Sequence, residues 1–206
     1  MTKTANPKRQ SILAAAKRAF LAQGYSGTSM DMIAEATPVS KSTLYSHFSS
    51  KQSLFSAVIA AQGEDLQQTL SRIRTERMAP KACLATIARA FVDLIYAKES
   101  LDIYRLVVYE QRNFPDLGQL IYRSAREPLL RQLSAHLADW NARDLLRVAD
   151  VEISCQLFLG MLQGNIHFRC LMGLQEGLSD AEKARLVDSA VALFIKGYAP
   201  RDGVSG

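Results

Sequence analysis

Between Thr28 and Lys51 the chain gathers side chains that can bond nucleic acid: Thr28, Ser29, Ser40, Lys41, Ser42, Thr43, Tyr45, His47 and Lys51. Lysine can donate to the guanine acceptors of the major groove, and serine and threonine hydroxyls fit several base edges. The threonine methyl can also touch a thymine methyl. Lys41, Ser42 and Thr43 are therefore candidate base readers. Tyr45 and His47 stand farther along, where hydroxyl and imidazole donors suit phosphate oxygens, which fix register rather than sequence. Backbone amides near Thr28 and Lys51, each at a helix start, are further phosphate donors. Ser29 adjoins the first of these starts, and Lys51 adds a charge at the second.

Donors of this kind need short, well-anchored helices behind them. Residues 8–23 place Ile12, Leu13, Ala16, Phe20 and Leu21 on one helical face, with Lys8, Arg9, Lys17 and Arg18 outside it. Gly24 is a natural stop. A second, short helix is expected from Thr28, with Asp31 at capping-box spacing and Met30, Ile33 and Ala34 as its apolar face. Thr37-Pro38-Val39 breaks it, because proline disfavours helical geometry in the residue before it. Ser40 is the expected N-cap of a third helix, held from behind by Leu44 and Phe48. Ser49, with Gln52 at the box position, is expected to cap a fourth helix running into the mid-seventies. Two short helices, a tight turn and a polar outward face on the second make a helix-turn-helix pattern.

Charge supports the same end of the chain. The first sixty residues carry seven basic and two acidic side chains, Lys3 among them, while the rest balances at eighteen each. The whole net charge of +5 therefore sits in one segment, which suits contact with a polyanion. Beyond Pro80 the periodicity is helical throughout, at roughly 81–98, 101–113, 116–139, 150–172 and 179–196. The last of these has a Ser179…Glu182 capping box and Gly197 as its expected stop.

Other classes lack their signals. His47, His136 and His167 are scattered, and there is no HExxH, GxGxxG, P-loop or GxSxG pattern, so neither catalysis nor a metal or cofactor is expected. Cys83, Cys155 and Cys170 read as reduced, buried thiols. No secretory signal or membrane span is apparent, and a cytoplasmic protein without a membrane partner is expected. A helical small-molecule binder without DNA affinity is the competing class, and the basic, donor-rich head argues against it.

The stretch from Gly24 to Ala36, GYSGTSMDMIAEA, followed by Val39 to Phe55, VSKSTLYSHFSSKQSLF, resembles the TetR/AcrR regulators, with similarity over roughly residues 8–60. The resemblance implies an all-α fold: an N-terminal three-helix helix-turn-helix DNA-binding domain over residues 1–55, and a larger helical ligand-binding and dimerisation domain over 56–206. It implies a homodimer on a roughly palindromic operator, acting as a repressor that a small-molecule inducer releases. By position, Thr28, Tyr45, His47 and Lys51 match phosphate contacts, Lys41, Ser42 and Thr43 match base readers, and Ser40 matches the cap. Pro38 and Ser42 stand where the family commonly has glycine. Proline cannot take the positive φ that glycine permits, so a different turn geometry or an altered helix crossing is expected.

Tyr104-Arg105-Leu106-Val107-Val108-Tyr109-Glu110, then Phe114-Pro115-Asp116-Leu117, is similar to the AefR-like branch. That similarity implies a ligand cavity, with Phe91, Tyr104, Val108, Phe114, Tyr122, Trp140, Phe158 and Met161 as candidate walls. Arg105, Gln111 and His167 are candidate polar fixtures, and a hydrophobic or aromatic inducer is expected. The last two helices suit dimerisation. Residues 150–172 carry Leu157, Met161, Leu162 and Ile166 with Gly160 and Gly164 four apart, and residues 179–196 carry Leu186, Ala190, Leu193 and Phe194. Both stripes are wide enough to pack inward and face a second copy, giving a four-helix interface.

Overall fold

The computed structural model describes residues 6–73 and 75–200, apart from the side chain of Asp65. Lys3, counted above in the basic excess, lies outside the described residues. Every regular element described is helical: α1 (Pro7–Gly27), α2 (Met30–Glu35), α3 (Lys41–His47), α4 (Lys51–Gln62), α5 (Glu64–Arg72), α6 (Pro80–Ile95), α7 (Lys98–Glu110), α8 (Asp116–Ile121), α9 (Glu127–Ala142), α10 (Val151–Leu171) and α11 (Asp180–Tyr198). A π-helical turn, Tyr122–Arg126, joins α8 to α9.

The local signals act where side chains can reach the first free amides. Asn6 accepts from the Lys8 amide and Pro7 opens α1. Two expected caps move by one residue. Ser29, not Thr28, caps α2 by accepting from the Met32 amide, and Ser50, not Ser49, caps α4 in a reciprocal box with Ser53. The fourth helix also ends earlier than expected, at Gln62. Gly63, a poor helix former, separates it from α5. At the other end of the chain Ser179 and Glu182 form the expected reciprocal box, and α11 continues past Gly197 to Tyr198, stopping before Pro200.

The helices form two compact units. Of the described residues, those up to 63 and those from 102 to 126 make the first, and the rest make the second. The units therefore do not divide at residue 55. The segment 102–126 joins the N-terminal unit because Ile103, Val107 and Leu117 bury in the same core as Ile12, Phe20, Ile33, Leu44 and Phe55. Aromatic rings fill its centre: Phe20 and Phe55 meet edge to face at 4.9 Å, and Tyr25 meets Phe114 likewise at 5.0 Å. Such pairs add ~0.5–1.5 kcal/mol beyond area burial.

The second unit packs α6 against α11 and α9 against α10. Its core includes Leu84, Ile87, Leu133, Trp140, Phe158 and Phe194, together with the thiols Cys83, Cys155 and Cys170. Helix α10 kinks at Gly164, whose φ of +50° and ψ of −159° belong to a region open essentially to glycine alone. Tyr96 donates its hydroxyl hydrogen to the carbonyls of Leu162 and Gln163 just before the kink, at 3.2 and 2.8 Å. Burial pushes the Tyr96 phenol up to about 12, so it remains a donor at neutral pH.

Candidate nucleic-acid interface

The nine residues expected to meet DNA fall on α3, at the first position of α4 and in the turns that precede α2 and α3, all within the first unit. Leu44 is fully buried and Phe48 nearly so, and together they fix α3 from behind. Ser42, Tyr45 and Ser46 are left exposed, and Thr43 and His47 are half-buried. Ser40 accepts from the Thr43 amide as the cap, and its hydroxyl lies 2.9 Å from those of both Ser42 and Thr43. The start of α3 is thus a cluster of three hydroxyls, each able to donate or accept.

The turn between α2 and α3 accommodates Pro38 without a left-handed residue. Among the described residues the only non-glycine with positive φ is Asp144, far from this turn. The Thr37 amide and hydroxyl both donate to the Ala34 carbonyl, at 3.2 and 3.0 Å. The turn is therefore closed by side-chain and backbone bonds, and glycine is not needed at position 38.

Lys41, Thr28 and Lys51 also have internal partners. Lys41 pairs with Asp31 of α2 at 2.7 Å, both side chains remaining more than half exposed. That hydrogen bond raises the Lys41 pKa, so the ammonium stays charged. Thr28 is almost fully buried and donates its hydroxyl hydrogen to the Gly24 carbonyl at 2.8 Å. Lys51 donates to the carbonyls of Tyr25 and Thr28 at 2.8 and 2.9 Å and lies 4.5 Å from the Tyr25 ring centroid. Burial pushes its pKa down, and nearby Glu110 partly offsets this.

Two features of this region are absent from the sequence reading. Glu110, at the end of α7, is buried, and its Oε1 accepts from both the amide and the hydroxyl of Ser26, at 2.9 and 2.8 Å. Lys51 and Glu110 thus hold the junction between α1 and α2 from two sides, one by its carbonyls and one by an amide. Gly24 enters that junction at φ +78°, and a Cβ there would stand 2.9 Å from Glu110 Oε1. The partners are 84 positions apart, so no local pattern announces them. The second feature is Arg9, whose guanidinium stacks 5.6 Å from the Phe48 ring centroid and brings an α1 charge beside the end of α3.

The ten residues expected to contact a ligand divide equally between the units. Tyr104, Val108 and Tyr122 are exposed, Phe114 packs on Tyr25, and Arg105 pairs with Asp102 at 2.7 Å, all in the first unit. Arg105 also lines an open groove of about 450 Å³ with Phe20, Gly24, Tyr109 and Glu110. In the second unit, Phe91, Trp140, Phe158 and His167 are buried and Met161 is half-buried. Gln111 is exposed. No group of three or more metal-ligating side chains occurs among the described residues, and no described helix is long and apolar enough to cross a membrane.

A three-helix head with a donor-lined third helix, joined to a larger helical body, defines a helix-turn-helix DNA-binding regulator. The family described as "Bacterial regulatory proteins, tetR family" matches residues 12–58, and "AefR-like transcriptional repressor, C-terminal domain" matches residues 82–200. The chain belongs to the TetR family, with an AefR-like C-terminal domain, and is a transcriptional regulator rather than an enzyme. A TetR-family structure from Mesorhizobium loti is 27% identical with a TM-score of 0.79, covering 97% of this chain and 100% of its own. The flavonoid-responsive regulator FrrA is 31% identical with a TM-score of 0.76, covering 94% and 98%. The DNA-binding transcriptional repressor TetR of Mycobacteroides abscessus is 26% identical over 188 residues, 90% of this chain and 92% of that protein.

Proposed function

We propose that the chain is a repressor that binds a two-fold operator as a homodimer and leaves it when a small molecule binds its body. The observation that carries this reading is α3, a short helix anchored by Leu44 and Phe48 that exposes Ser42, Tyr45 and Ser46 and pairs Lys41 only at its surface. In the groove, Lys41 exchanges Asp31 for a guanine edge while Ser42 and Thr43 read neighbouring bases. Tyr45, His47 and Arg9 reach phosphates. Ser29 and Ser40 support these contacts as helix caps. Lys51 contributes through its backbone amide at the start of α4, since its side chain is bound internally, while buried Thr28 supports the entry to α2 rather than touching DNA.

Dimerisation is assigned to α10 and α11. Val187, Ala190, Val191 and Phe194 turn into the core, while Ile153, Leu157 and Leu193 are about half exposed or more. An apolar face of that kind on two adjacent helices suits a four-helix interface with a second copy. The likeness to a flavonoid-responsive regulator supports a hydrophobic or aromatic inducer. Release is read as a population shift, the inducer favouring a head arrangement that no longer fits two half-sites.

The test titrates full-length protein against a labelled duplex from immediately upstream of its own gene, with unrelated DNA as competitor. Saturation at two chains per duplex, resistant to competitor, is the expected result. Binding indifferent to sequence, or saturating at one chain, contradicts the proposal.

A further inference from the structure

On α9, Gln132, His136 and Trp140 follow one another at four-residue steps and so share a face. Gln132 Oε1, His136 Nε2 and Trp140 Nε1 are all buried, and none has a hydrogen-bond partner among the described residues. Trp140 is fully enclosed. The His136 and Trp140 rings stack at 5.9 Å with an interplanar angle of 24°. Gln132 uses its other end on Gln67 of α5 at 3.3 Å. Elsewhere in this unit the Tyr96 and Ser154 hydroxyls are bonded, so the shortfall concentrates on one stripe. Each unpaired buried polar group costs ~1–3 kcal/mol. Leucine or phenylalanine would fill the same space without that cost, so packing alone does not account for these residue types.

We propose that this stripe is the recognition edge of an effector site that takes a neutral, hydroxyl-bearing aromatic molecule. The proposal rests on reading the chain as a ligand-responsive regulator and names the site and the ligand chemistry. Indole N–H only donates, so Trp140 calls for a carbonyl or ether oxygen on the ligand. Gln132 Oε1 only accepts, so it calls for a hydroxyl. Burial holds the His136 pKa down, leaving a neutral ring whose Nε2 donates or accepts. The stripe carries no charge to hold a carboxylate or phosphate, and the stacked rings suit contact with an aromatic ring of the ligand. Because Trp140 is enclosed, binding is coupled to an opening of the packing on this face of α9. A ligand that contacts the opened form shifts the equilibrium toward it.

Trp140 is the only tryptophan in the chain, so its emission reports this position alone. Full-length protein is titrated with naringenin, a neutral hydroxylated flavanone, and with the hydroxyl-free parent flavanone, by fluorescence and calorimetry. Naringenin should change Trp140 emission as it saturates one site per chain, and flavanone should bind about tenfold more weakly. Gln132→Leu and His136→Phe should each weaken naringenin about tenfold while leaving the neutral-pH melting temperature unchanged or higher. No naringenin binding, or binding that leaves Trp140 emission and both variants unaffected, overturns the proposal. Unchanged affinity with a lower melting temperature also overturns it and makes the stripe structural, satisfied by buried water. Operator binding is measured separately on ligand-free protein, so failure of either reading leaves the other distinguishable.

Discussion

At the scale of single residues, the junction entering the helix-turn-helix is held by two buried side chains. Glu110→Ala leaves the Ser26 amide unpaired, a loss of about 1–3 kcal/mol. The variant should unfold at lower urea and bind operator more weakly, whereas Ser26→Ala, which keeps the amide bond, should show a smaller effect on both. The Lys41–Asp31 pair yields a second prediction. Asp31→Asn releases the ammonium, so binding to unrelated DNA should tighten and its log–log salt slope steepen by about 0.9 for one added phosphate contact. An unchanged slope removes Lys41 from the interface. Leu44, Phe48 and the Ser40 cap were legible in the sequence because helical spacing marks the inward face and the cap bond is local. Glu110 was not, because it meets Ser26 across 84 positions and its carboxyl matches no motif.

Elements were legible wherever a stop signal was unambiguous. Pro38, Pro80 and the Ser179–Glu182 box marked helix ends that the structure retains. Adjacent serines and threonines were harder, because Thr28-Ser29 and Ser49-Ser50 offer equivalent hydroxyls; the second of each accepts the cap bond, and the Thr28 hydroxyl is bound to the Gly24 carbonyl. Gly164 illustrates the same limit. Its spacing from Gly160 does not announce that its backbone breaks α10 or that the two carbonyls before it accept from Tyr96. Gly164→Ala places a Cβ in open space yet forces alanine into a glycine conformation, so urea denaturation should show a loss of about 1–3 kcal/mol. The turn at Pro38, made without positive φ, leads to the opposite expectation from the family glycine. Pro38→Gly should destabilise by about 0.4–1 kcal/mol through added freedom in the unfolded chain.

At the scale of the whole molecule, the all-helical class and the basic head followed from periodicity and charge, while the membership of residues 102–126 in the first unit did not. That assignment depends on which core Ile103, Val107 and Leu117 enter, and amphipathic spacing does not say. Buried histidines set a pH dependence. Burial lowers the pKa of both His136 and His167. The unfolded chain, with histidines near ~6.5, therefore binds protons that the folded chain does not, and stability falls as pH drops below about 6.5. The melting temperature should decline between pH 7.5 and 5.5, less steeply in His136→Phe. Paired Leu157→Asp and Leu193→Asp substitutions should yield a monomer by light scattering with much weaker operator affinity. The most direct test of the central claim is fluorescence anisotropy of the upstream duplex at several salt concentrations, with wild type, Lys41→Ala and Tyr45→Ala. Selective binding that weakens with salt and is lost in both variants is the predicted result; selective binding that both variants retain would show that α3 is not the reading helix.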